Sequence, residues 1–184
     1  MAKLFFNRRK NYLFRIRPAL RWLIKLRGST RAIAGGFALG VFIAFTPTIG
    51  IQMFLGAIFA TFFNLNRPAA IIPAWITNPV TVAPVYTFNY WLGTLIWPGP
   101  PLAEVKELFV NLGTALTHLQ FWDMKEAILA MLQIGMEILI PLLIGSIEVG
   151  IVLGILTYII SLKLLSFFFT RRIEKRLLNN RQRP

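Results

Sequence analysis

Two stretches of this chain carry no charge at all: the 35 residues from Ala32 to Asn66 and, after the single Arg67, the 36 residues from Pro68 to Ala103. An apolar run of about 18–20 residues is enough to mark a membrane span. A third run, Ile138–Leu162, holds only Glu148. A soluble domain could bury one such segment as a core helix, but three leave too few amphipathic elements to cover them. Ordinary soluble domains are about 45–50% apolar, whereas this chain is 56% hydrophobic with a mean hydropathy of +0.63. The pattern predicts an all-α integral membrane protein of the bacterial inner-membrane type.

The charges say which way it sits. Of 20 Lys+Arg and 7 Asp+Glu, most of the bases lie at the two ends. Residues 1–31 carry ten bases and no acid, residues 170–184 carry six bases against Glu174, and residues 104–137 carry five acids and two bases. By the positive-inside rule both termini face the cytoplasm. The uncharged region must then cross an odd number of times, and the last helix must return once. Within 1–31, Arg17, Arg21 and Lys25 fall at spacing four, while Leu13, Ile16, Leu20 and Leu23 or Ile24 occupy another stripe. That is the pattern of a basic helix lying in the headgroup layer and holding anionic lipid, though a purely topogenic basic tail gives the same composition, and both can hold together. The stretch is too long for the basic head of a cleavable signal sequence. Basic ends also attract nucleic acid, but no zinc-finger spacing or aromatic RNA-binding motif accompanies them, so no nucleic-acid partner is expected.

The first uncharged segment, 32–66, would be ~50 Å long as one straight helix, against a hydrocarbon core of ~30 Å. Phe45-Thr46-Pro47-Thr48-Ile49-Gly50 supplies a breaker near its centre, and a re-entrant hairpin is the natural outcome. The second segment, 68–101, is interrupted in the same way by Thr77-Asn78-Pro79-Val80-Thr81-Val82-Ala83-Pro84 and reads as a broken crossing helix, with Tyr86, Tyr90, Trp91 and Trp97 suited to a membrane interface. The expected organisation is a basic segment 1–31, paired broken segments 32–103, amphipathic helices 104–137, a transmembrane return helix 138–169 and a basic tail 170–184.

Non-helical backbone at membrane depth is costly unless protein buries it or it lines a watery cavity. Paired interrupted helices commonly aim their ends at a substrate. The candidate substrate-binding residues are therefore Thr46, Pro47, Thr48 and Gln52 from the first break, facing Thr77, Asn78, Pro79 and Thr81 from the second. The plainer alternative is that the prolines only kink packed helices while Thr and Asn satisfy the freed carbonyls. Glu148, inside the return helix, is a candidate coupling group, with Arg67 as the basic residue available to pair with it. The equal alternative places Glu148 nearer an interface, simply hydrated. Gly35, Gly36, Gly40 and Gly56 are explained by close helix packing. His118 has no second ligand at helical spacing, and no metal site or cofactor is expected. Cysteine is absent, and neither a phosphate-binding loop, a nucleophile elbow nor a paired-carboxylate pattern occurs, so no catalytic residues are assigned and the chain is not expected to be an enzyme.

The run from Arg31 through Ala34-Gly35-Gly36-Phe37-Ala38-Leu39-Gly40-Val41-Phe42 to Thr46-Pro47-Thr48-Ile49-Gly50, followed by Asn64-Leu65-Asn66-Arg67-Pro68 and Thr77-Asn78-Pro79-Val80-Thr81, resembles the domain of unknown function twenty sixty-two. The resemblance covers about residues 20–170. It implies a bacterial multi-pass membrane protein without an established activity, in a family whose members sometimes carry a glycosyltransferase-like domain. No such domain is formed by these residues, so a link to envelope glycan or lipid assembly is expected to run through a partner enzyme. Two functions follow as expectations: a small transporter, channel or lipid-translocating protein built on the two breaks, as a homo-oligomer; or a non-catalytic scaffold that holds anionic lipid and recruits envelope-synthesis enzymes.

Overall fold

The computed structural model describes residues 28–118 and 134–181, with side chains over 28–117 and 134–168. Among these residues every element is a helix: α1 Thr30–Phe45, α2 Gln52–Phe62, α3 Arg67–Ala74, α4 Val82–Gly93, α5 Leu102–His118 and α6 Met136–Arg181. The expected surface helix within 1–31 lies outside the described residues up to position 27.

Local chemistry sets the boundaries. Ser29 is extended and its hydroxyl accepts from the Ala32 N–H at 3.1 Å, capping α1. Pro47 forces the preceding Thr46 out of the helical region, to ψ 148°, and ends it. Gly50, at φ 90°, makes the turn that an ordinary residue would resist. Asn64, at φ 54°, closes α2. Asn66 then caps α3, its Oδ1 accepting from the Ala69 N–H at 2.9 Å.

The first segment is a helical hairpin, because the Asn66 N–H donates to the Ala32 carbonyl at 3.0 Å and brings the end of α2 back to the start of α1. From there α3 runs beside α1 in the same sense. A Cβ on Gly36 would stand 2.5 Å from the Asn66 carbonyl oxygen, and one on Gly40 would collide with the Ala70 backbone, so these glycines are what let the two backbones meet. The second segment is shorter in helix than expected: α3 has 8 residues and α4 has 12, and Thr94–Pro101 is not helical.

One boundary is corrected. The return helix does not stop near residue 169 to release a separate basic tail; α6 continues unbroken for 46 residues to Arg181. Neither Gly nor Pro occurs between Ile155 and Arg181 to interrupt it. Its section Met136–Phe168 is long and apolar enough to cross a membrane. At 16 and 11 residues, α1 and α2 are also apolar but, at ~24 and ~17 Å, shorter than a ~30 Å hydrocarbon core.

The described bundle has two ends. At one, Ile33 and Ala34 of α1, Ala69 of α3 and Leu165 of α6 form a buried cluster with Leu162 against it. At the other, α4, α5 and the start of α6 bury Val82, Tyr86, Tyr90, Phe109 and Leu142 around Ile49 of the first break. Between them α6 runs antiparallel to α1, with Gly154 facing Ala38 and Gly150 facing Phe42. The charges divide accordingly. Arg31, Arg67 and Lys163 stand at the first end, whereas Glu104, Glu107, Glu137 and Glu148 stand toward the second, with Lys106.

Candidate functional site

Both breaks lie toward the second end, and they are joined. The buried Gln52 amide donates to the Thr77 backbone carbonyl, tying the N-terminus of α2 to the turn between α3 and α4. Of the eight predicted residues, Gln52 and Thr77 are the pair that bond to each other across the two breaks.

The other predicted residues act on their own turns. Thr46 Oγ1 donates to the Ile43 carbonyl at 2.7 Å and lies 3.0 Å from Thr48 Oγ1. Thr48 N–H donates to the Thr46 carbonyl at 2.7 Å, and Pro47 stands half-buried between them. In the second break Asn78 Oδ1 accepts from the N–H groups of Val80 and Thr81, at 2.9 and 3.2 Å. Thr81 Oγ1 in turn accepts from the Asn78 N–H at 2.9 Å and donates to the Ile76 carbonyl at 2.7 Å. Pro79, which has no N–H to satisfy, occupies the middle of this turn; its carbonyl lies against Gly113 of α5, where a Cβ would come within 2.9 Å. Such side-chain bonds replace the helix ladder where proline interrupts it.

Arg67 and Glu148 are not brought together. Arg67 opens α3 beside Ala32, whereas Glu148 follows Ser146 at the level of Phe45, the full length of α1 away, and neither forms an ion pair among the described residues. The two tyrosines assigned to an interface are also elsewhere: Tyr86 and Tyr90 are fully buried, while Trp91 and Trp97 are about half exposed. Tyr86 stacks edge-on against Phe109 and its hydroxyl donates to the Thr46 carbonyl at 3.4 Å; the Tyr90 hydroxyl donates to the Pro100 carbonyl at 2.7 Å. Burying an aromatic body with its hydroxyl bonded is the alternative use of a tyrosine.

Two residues absent from the sequence-based site belong to it. Asn89 of α4, fully buried, donates to the Phe45 carbonyl at 2.9 Å and to Ser146 Oγ of α6 at 3.0 Å. Their signal lay in the neighbouring glycines. A Cβ on Gly93 would collide with the Pro141 carbonyl and one on Gly145 with the Asn89 carbonyl, so α4 and α6 touch backbone to backbone where this bond forms. The result is a polar seam in two parts: Ser146–Asn89–Phe45–Thr46–Tyr86 links the first break to α4 and α6, and Gln52–Thr77 links the two breaks. Along it Gln52 Oε1, Thr77 Oγ1 and Asn89 Oδ1 are buried without a hydrogen-bond partner. An apolar groove of about 520 Å³ between α4 and α5, lined by Phe88, Trp91, Leu102 and Lys106 among others, contains none of the predicted residues. Among the described residues no group of acids and histidines could hold a metal ion.

No curated protein and no solved structure matches the chain. A family model does, over residues 14–174, slightly more than the extent of the resemblance seen in its motifs. The hairpin, the two breaks and all but the last seven residues of α6 fall inside that match, and the chain belongs to the family described as an uncharacterized protein conserved in bacteria, DUF2062.

Proposed function

We propose that this chain is a multi-pass inner-membrane protein with both termini cytoplasmic, acting without catalysis as an embedded scaffold that holds anionic lipid and gathers partners of cell-envelope assembly. The observation that carries it is how the break residues are used: Thr46, Thr48, Asn78 and Thr81 bond within their own turns, and Gln52 bonds across to Thr77. Groups so engaged hold helices together and leave little free to coordinate a substrate. Support for the membrane setting comes from the apolar outer faces. Ile147, Ile151, Ile155 and Ile159 of α6 and Phe54, Ile58 and Phe62 of α2 are all exposed, a surface too large to face water in a monomer. Support for the orientation comes from the separation of charge along α1 and α6, with Arg31, Arg67 and Lys163 at the end from which the basic segments extend.

A second reading, transport across the breaks by a homo-oligomer, is favoured by the unpartnered Gln52 Oε1, Thr77 Oγ1 and Asn89 Oδ1. Buried acceptors without donors cost about 1–3 kcal/mol each, and water or a substrate would relieve that cost. Because the chain has no cysteine, single Thr48→Cys, Asn78→Cys and Glu148→Cys substitutions with a lipid-facing Ile155→Cys control separate the two. The scaffold predicts that Thr48→Cys stays inert to a membrane-impermeant maleimide applied from the cytoplasmic side. Labelling of both break positions from both sides would overturn it and establish an aqueous path.

A further inference from the structure

We propose that Arg31, Arg67 and Lys163 form one binding site for the phosphate headgroup of an anionic phospholipid, distinct from the other bases of the two terminal segments; this rests on the membrane reading above. The three residues come from α1, α3 and α6, far apart in sequence. The Asn66 N–H to Ala32 carbonyl bond places Arg31 and Arg67, each the neighbour of a bonded residue, side by side at the openings of α1 and α3. Lys163 lies between Leu162 and Leu165, both of which join the cluster of Ile33, Ala34 and Ala69 at this same end. All three cations are exposed, and none has an acidic partner among the residues with described side chains, where four acids stand toward the other end; Glu174 follows Lys163 farther along α6.

The lipid is identified by what adjoins the cations. The exposed apolar stripe of α6 runs from Leu143 to Phe167, and the 20 steps of helix from Ile147, beside Glu148, to its end cover ~30 Å, the thickness of a hydrocarbon core. The three cations therefore collect where that stripe ends, at headgroup depth. There a long basic side chain keeps its stem in the apolar layer and its charge at the phosphates. A cation cluster contiguous with an acyl-facing surface fits an anion that carries its own chains better than a free one.

The test uses the full chain in detergent, titrated with phosphatidylglycerol, phosphatidylcholine or inorganic phosphate and followed by thermal shift and native mass spectrometry. Phosphatidylglycerol binds and raises Tm. At about five-fold in affinity per basic residue near the surface, an R31Q/R67Q/K163Q variant loses on the order of 100-fold. An R171Q/R172Q/K175Q variant, with the same charge removed from the C-terminal part of α6, stays within a few-fold of the parent. Single R31Q and K163Q variants, each expected to lose about five-fold, carry the test if the triple variant does not fold. Equal losses in the two triple variants, or equal binding of phosphatidylcholine, overturn the site. A matching shift with inorganic phosphate makes it a free-anion site instead. Release of the parent chain from membranes by alkaline carbonate removes the membrane reading itself, independently of these outcomes.

Discussion

Asn89→Leu tests the polar seam at its most connected point. The side chain is fully buried and donates two hydrogen bonds, to the Phe45 carbonyl and to Ser146 Oγ. Leucine keeps the same branched skeleton and is somewhat larger, so no cavity is left; what is lost is the donor. The Phe45 carbonyl belongs to the last turn of α1, where no following helical N–H reaches it, and Ser146 Oγ is left inside the α4–α6 contact. Two stranded acceptors at about 1–3 kcal/mol each, partly offset by removal of the unpartnered Asn89 Oδ1, leave a net destabilisation of roughly 2–4 kcal/mol. Thermal unfolding in detergent should report a fall in Tm on the order of 10 °C for a chain of this size. Adding Ser146→Ala removes one of the two stranded groups, so the double variant should recover about 0.5–2 kcal/mol relative to the sum of the singles. An unchanged Tm for Asn89→Leu, or strict additivity with Ser146→Ala, would refute the assignment of Asn89 as the link between α1 and α6.

The two breaks should differ by residue in a way that follows their bonds. Gln52→Leu strands the buried Thr77 carbonyl and should cost about 1–3 kcal/mol, whereas Thr48→Val, whose hydroxyl touches only that of Thr46, should cost under about 1 kcal/mol; urea or SDS titrations of the two variants compare them directly. Gly93→Ala and Gly145→Ala each drive a methyl into a facing carbonyl and should separate α4 from α6 at a cost of about 1–3 kcal/mol or more, read as lowered Tm and increased proteolysis. Gly135→Ala, where a Cβ would meet nothing within 4 Å, is the control; as it only changes the residue that opens α6, it should cost under about 1 kcal/mol.

The coarse plan was legible in the sequence because it rests on local chemistry. The uncharged runs announce apolar helices, Pro47 with Gly50 and Asn78 with Pro79 announce the breaks, and the spacing of Gly36 and Gly40 announces a close packing face. The extent of α6 was less legible: the basic residues after 170 suggest a tail, yet charge does not stop a helix that lacks a Gly or Pro to end it. Which polar residues meet was not legible at all. Thr46, Thr48, Asn78 and Thr81 are drawn to their own turns by bonds only two to five residues apart, while the pairing of Gln52 with Thr77 and of Asn89 with Ser146 depends on how helices cross, 25 and 57 residues apart in sequence. Arg67 and Glu148 show the converse, since opposite charges in an apolar chain invite a pairing that the antiparallel run of α1 and α6 prevents.

The most direct test of the account is the depth of α6 in a bilayer. Nitroxide labels placed singly at Ile147, Ile151, Ile155, Ile159 and Phe167, in the full chain reconstituted into lipid nanodiscs, report accessibility to oxygen and to a polar nickel reagent. The account predicts oxygen access with nickel exclusion at 151–159, and a crossover to nickel access near 147 and 167, the two ends of a ~30 Å apolar band. Nickel access throughout, or exclusion of both reagents along the whole stripe, would contradict it, because the face would then meet water or protein where the account requires lipid.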